Sequence, residues 1–189
     1  MNKLLNIVLF LLLSASLNAK TLPKIVYGND DRQEVANHYD AQLREMALSV
    51  AGKVRTYKLY DDPEDESVYN FKKVALTDWI NLCPSEKFRE QNTLTSCSGY
   101  LIADDILVTA GHCAIANTDC LTSYWVFDYV EGTERIKKEN VFKCKQILEQ
   151  ELITKWFKLK DYAIIQLDRK VQSFRKPLKV RTEGRVKLR

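Results

Sequence analysis

Glycine and proline are scarce in this chain, six and four among 189 residues, and only two residues are histidine. No internal repeat or low-complexity linker is visible, which leaves ordinary folded structure rather than a fibrous or flexible array. Long apolar runs are missing too. Residues 4–13 form one such run, too short for a permanent bilayer-crossing helix, and no later segment approaches it, so no permanent membrane span is expected. Charge of one sign is not in excess: 29 basic against 25 acidic residues give a formal net charge of +4. Nothing in that balance calls for nucleic acid as a partner. The acidic run Asp61-Asp62-Pro63-Glu64-Asp65-Glu66 lacks the ligand spacing of a calcium loop and reads as a solvated loop. Residues 169–189, rich in Lys and Arg, read as a solvated tail. There is no Asn-x-Ser/Thr acceptor sequence.

Present instead is an export-type leader. Lys3 precedes the apolar run, and Ser14-Ala15-Ser16-Leu17-Asn18-Ala19 forms a small-residue exit, so residues 1–19 are expected to leave as a signal peptide cleaved after Ala19. The product is then secreted or periplasmic, and the five cysteines (Cys83, Cys97, Cys113, Cys120 and Cys144) become disulfide material. Their odd number leaves one unpaired. Their spacings fit neither a zinc finger nor a zinc ribbon, and no metal or organic cofactor is expected.

The remaining chain reads as short strands with polar breaks, which suggests an antiparallel sandwich or barrel. Residues 37–46 suggest a short helix capped by Asn37, and residues 46–51 a strand ended by Gly52. Residues 70–76 read as extended and 84–90 as a helical turn. Strands are expected at 124–127, 140–144 and 161–167. Residues 20–92 are taken as an N-terminal extension with the first strands, and 93–189 as the core of a barrel.

The densest signal is Cys97-Ser98-Gly99-Tyr100-Leu101-Ile102-Ala103, followed after Asp104-Asp105 by Ile106-Leu107-Val108-Thr109-Ala110-Gly111-His112-Cys113. It reads as two strands joined by an Asp-Asp turn, delivering a histidine between two cysteines. This unit resembles the first-barrel hairpin of trypsin-like serine peptidases. The element Asp161-Tyr162-Ala163-Ile164-Ile165-Gln166-Leu167 is similar to the strand that carries that family's triad aspartate. The resemblance implies an all-β fold: a six-stranded antiparallel barrel, the first half of a chymotrypsin-like double barrel, with a helical or irregular N-terminal extension. It implies a secreted endopeptidase acting on polypeptide substrates, with His112 as general base and Asp161 as the anion that orients it. Asp168 is the runner-up for the acid, at a strand exit. It also implies the pairing Cys97–Cys113, with Cys120–Cys144 plausible from hairpin geometry and Cys83 left over. A thiol nucleophile is disfavoured because Cys97 and Cys113 are expected to be bridged.

One part of the family pattern is absent. No Gly-Asp-Ser-Gly or Gly-Asn-Ser-Gly turn occurs, and Ser173, the only serine after Asp161, lacks flanking glycines. Ser98 belongs to the hairpin. The nucleophile and the second barrel are therefore expected to lie beyond Arg189, which leaves these residues inactive alone. The rival expectation is a peptidase-like binding or regulatory module without catalysis. Ile25-Val26-Tyr27-Gly28 resembles the new N-terminus of trypsin-like zymogens, with Lys24 as the cut site, whereas Tyr27 and Asn29-Asp30-Asp31-Arg32 look closer to the bacterial glutamyl-endopeptidase-type branch. Neither substrate preference nor oligomeric state is encoded legibly.

Overall fold

A computed structural model describes residues 29–155 and 158–184. The leader (1–19) and the segment 24–28 lie outside the described residues. The chain divides into two units, 1–32 and 33–189. In the described part of the first, the Arg32 guanidinium donates to the Asp30 carboxylate at 2.8 and 2.7 Å.

The second unit is built on six strands: β1 (Val50–Arg55), β4 (Cys97–Ala103), β5 (Ile106–Thr109), β6 (Ser123–Phe127), β8 (Val141–Lys155) and β9 (Lys158–Leu167). They close into a barrel in the order β1-β4-β5-β9-β8-β6, every pair antiparallel. A three-stranded sheet, β2 (Leu59–Asp61), β3 (Val68–Phe71) and β7 (Ile136–Lys137), lies beside it. This is the first-barrel half of a chymotrypsin-like fold.

Period-two alternation explains the barrel. Leu107 and Thr109 in β5, and Ala163, Ile165 and Leu167 in β9, are buried while their neighbours are not. Leu107, Ala163, Ile165 and Leu167 form the main core with Ala51, Leu101, Trp125, Phe127 and Phe142. Val54 and Val126 face the other way and meet Leu59, Phe71 and Ile136 of the small sheet in a second core. Gly99 answers a packing demand, since a Cβ there would lie 2.3 Å from Leu107 Cδ2 and 3.0 Å from Trp125 Cζ3.

Two disulfides staple loops to this frame. Cys97–Cys113 joins the start of β4 to the turn after β5, and Cys120–Cys144 joins α2 (Asn117–Leu121) to β8; α1 is Ala41–Ala47. Loops of this length stabilise by about 3 kcal/mol each in the chain-entropy account. Cys83 is exposed and free.

Several local readings are corrected. The helix begins at Ala41, not after Asn37, because the Asp40 carboxylate accepts from the Gln42 and Leu43 amides at 2.8 and 3.4 Å. β1 runs through Gly52, which pairs with Ser98 on one side and Val126 on the other, so two neighbours hold it in the sheet. β3 covers only Val68–Phe71, and residues 84–90 form turns without a helix. The acidic loop is not simply solvated, because the Asp62 carboxylate accepts from the Glu64 and Asp65 amides and from Asn70 Nδ2. Nor is the basic tail: Arg175 is 1 % exposed. Its guanidinium donates to Asp128 at 2.8 and 2.6 Å, to the Leu48 carbonyl at 2.8 Å and to Asn140 Oδ1 at 3.0 Å.

Candidate active site

β5 ends at Thr109, and the chain turns tightly through Gly111–Cys113. That turn is pressed against the β8–β9 hairpin. A Cβ on Gly111 would sit 2.3 Å from the Glu151 carbonyl oxygen and 3.0 Å from the backbone N and O of Tyr162. Only glycine allows this approach, because the opposing atoms are backbone and cannot rotate away. Gly111→Ala is expected to destabilise the fold by about 1–3 kcal/mol, read as a lowered thermal midpoint; an unchanged midpoint would contradict the packing argument.

The same approach brings Asp161 under the histidine. The backbone N–H of His112 donates to Asp161 Oδ1 at 2.9 Å, and His112 Nδ1 lies 2.7 Å from Asp161 Oδ2. A carboxylate accepts only, so Nδ1 carries the proton and Nε2 keeps its lone pair in the neutral ring. The His112 amide first, and then the His112 ring, hold the Asp161 carboxyl below the usual carboxylate range. A depressed pKa contributes stability above the unfolded value, about 3.9, and loses it as pH falls through the folded value. The gap in urea midpoint between the natural chain and Asp161→Asn should therefore be full above about pH 4 and shrink in more acid solution. A gap independent of pH would contradict this contact. Asp161 does not open its strand as expected; β9 begins at Lys158.

Side chains from two other strands reach backbone carbonyls of this turn. Gln150 Nε2 on β8 donates to the Gly111 carbonyl at 3.2 Å. Lys53 Nζ on β1 donates to the Cys113 carbonyl, with Asp119 Oδ1 3.4 Å away. Beside Asp161, Tyr162 points its hydroxyl to Glu149 Oε1 at 2.6 Å, which raises its pKa to about 12.

The other candidates have structural work. The Asp168 carboxylate accepts from the Lys143 amide at 2.9 Å and pairs with Arg169. His38 Nδ1 accepts from the Asp40 amide, and its ring stacks on Tyr39. Ser98 lies on the exposed side of β4, and Ser173 is exposed in a turn whose carbonyl accepts from Lys176. Cys97 and Cys113 cluster with His112, but both sulfurs are consumed by their disulfide and are not thiolate ligands. Among the described residues no helix is long and apolar enough to cross a membrane. Sequence reading missed Lys53 and Arg175; a lone Lys inside Val50-Ala51-Gly52-Lys53-Val54 was the one available signal for the first.

No curated protein sequence matches the chain. The family model described as Trypsin matches residues 84–188, more than half of the chain and the whole of the His112 hairpin and the Asp161 strand. On this match, and with the barrel as its setting, the chain belongs to the trypsin family of serine peptidases.

Proposed function

We propose that this chain carries the acid–base half of a secreted serine endopeptidase, with His112 as the base and Asp161 as its orienting anion. The observation that carries the reading is the 2.7 Å contact between His112 Nδ1 and Asp161 Oδ2, which leaves Nε2 as the basic nitrogen. In the reaction a serine hydroxyl loses its proton to Nε2 as its oxygen attacks the peptide carbonyl. The imidazolium, stabilised by Asp161, then returns that proton to the leaving amine as the acyl-enzyme forms. Water enters, gives a proton to Nε2 and releases the acid, and the proton goes back to serine. Each proton passes through one nitrogen.

The attacking serine is assigned to a second barrel, because these residues hold no glycine-flanked serine turn. That barrel would also supply the oxyanion donors and the specificity pocket. The two disulfides support an oxidising compartment, in keeping with cleavage of residues 1–19. The lead Asn29-Asp30-Asp31-Arg32 favours the glutamyl-endopeptidase-type branch; a mature N-terminus at Lys20 supports activity without a cut after Lys24, and one at Ile25 supports zymogen activation.

The test is covalent labelling of the natural secreted product with a fluorophosphonate that captures activated serines. Labelling that disappears in His112→Ala supports the reading. Absence of labelling in the natural protein, or labelling indifferent to His112, overturns it in favour of a non-catalytic module.

A further inference from the structure

A lysine occupies a place in this barrel where an apolar side chain would be the ordinary choice. Alternation puts Lys53 on the same face of β1 as Ala51, a member of the main core, and register sets it across from Cys97 on β4 and Trp125 on β6. Lys53 is 4 % exposed. Burial of a charged amine is costly unless it is paired and hydrogen-bonded, and here the partners are specific. Nζ donates to the Cys113 carbonyl, in the residue after His112, and faces Asp119 Oδ1 at 3.4 Å from α2. Arg55, two residues along the same face, reaches Asp119 at 3.2 Å and helps hold that carboxylate in place. Desolvation lowers the Lys53 pKa, and Asp119 opposes that shift.

The turn is thereby gripped at three successive residues by three different elements. Gly111 is held by Gln150 of β8, His112 by Asp161 of β9, and Cys113 by Lys53 of β1 through its carbonyl and by Cys97 through sulfur. The disulfide fixes the Cys113 side chain but not the rotation of its peptide group. The Lys53 bond to the carbonyl oxygen fixes that rotation together with the Ala114 amide, which donates to the Gly111 carbonyl at 3.2 Å from the other side of the same peptide. His112 is otherwise exposed, with 59 % of its side chain accessible, so its ring direction depends on the backbone beneath it.

We propose that Lys53 is a positioning residue for the His112 base: its ammonium, anchored by Asp119, locks the 113–114 peptide at the exit of the turn so that the imidazole keeps its contact with Asp161. The inference rests on the reading of His112 as the base of a serine peptidase. Lys53 touches no reacting atom and acts only through the turn.

The experiment uses the natural secreted protein with Lys53→Met, which keeps the side-chain length and removes the ammonium, and with Asp119→Asn. Two quantities are read: kcat and KM on a peptide ester, and the far-downfield proton resonance of the His112–Asp161 hydrogen bond. In Lys53→Met, kcat should fall about a hundredfold, the scale of a misplaced catalytic group, with KM within about twofold and the proton signal lost or broadened. Asp119→Asn should give a smaller loss of the same kind, and it decides the matter alone if Lys53→Met does not fold. Folded variants that retain both kcat and the proton signal overturn the proposal, as does a loss confined to KM. If the natural protein shows no His112-dependent turnover, the peptidase reading fails. The proton signal still judges Lys53 in that case: its loss in Lys53→Met supports the positioning role, and its persistence ends it.

Discussion

On the proposed peptidase function, Asp161→Asn lowers kcat by about ten-thousand-fold while KM changes little. The size follows from the tautomer. Asp161 accepts two hydrogen bonds from one residue, the His112 amide and ring. An Asn side chain can keep the first through its carbonyl oxygen. Its amide group then faces Nδ1 as a donor, so Nδ1 must become the acceptor and the proton moves to Nε2. The imidazole that should receive the serine proton is then already protonated on that nitrogen. In the proposed mechanism Asp161 acts on the imidazole and not on the substrate, so KM is spared. The measurement is steady-state hydrolysis of a peptide ester, with a thermal melt to show that the variant is folded. A loss below tenfold would contradict the assignment of Asp161.

Asp128→Asn lowers stability by about 3 kcal/mol, or about 6–12 °C in thermal midpoint for a domain of this size. Asp128 faces Arg175, whose side chain is fully buried, while its own is 38 % accessible. Removing the negative charge leaves a buried guanidinium with only neutral acceptors: the Leu48 carbonyl, Asn140 Oδ1 and Gln172 Oε1. The estimate sits at the low end for breaking a buried pair because Asp128 retains water. Asn is the apt replacement because residue 128 has φ of 58°, a conformation that Asn also tolerates. Phe127 and Phe174 each lie 4.8 Å from the Arg175 guanidinium and stay in place, so the change isolates the charge. Equal midpoints for the two proteins would contradict a structural role for the pair.

These two predictions differ in how much of their basis was legible in the sequence. His112 and Asp161 each sit in a local pattern, and such patterns survive in sequence because strand, turn and residue type are written within a few positions. The alternation of Ala163, Ile165 and Leu167 is equally local. Arg175 and Lys53 had no such signature. A buried cation is recognised only through partners far along the chain: Leu48 and Asp128 for Arg175, Cys113 and Asp119 for Lys53. Reading residues 169–189 as a solvated tail therefore failed at Arg175. The β8–β9 hairpin was half visible for another reason. Beyond Ile147 the residues of β8 leave the core, and register shifts at 144–146 and 147–149 break the alternation that would have revealed the hairpin. Helix α1 started late because an Asp side chain outcompetes Asn37 as cap from three residues further on.

A base at His112 requires its proton on Nδ1 toward Asp161 and its lone pair on Nε2. Nitrogen-resolved magnetic resonance of the ring, taken where the imidazole is neutral, reads this directly. Nδ1 is expected to be protonated and Nε2 bare in the natural protein, with the two reversed in Asp161→Asn. A proton on Nε2 in the natural protein, or equal mixtures of tautomers in both, would contradict it.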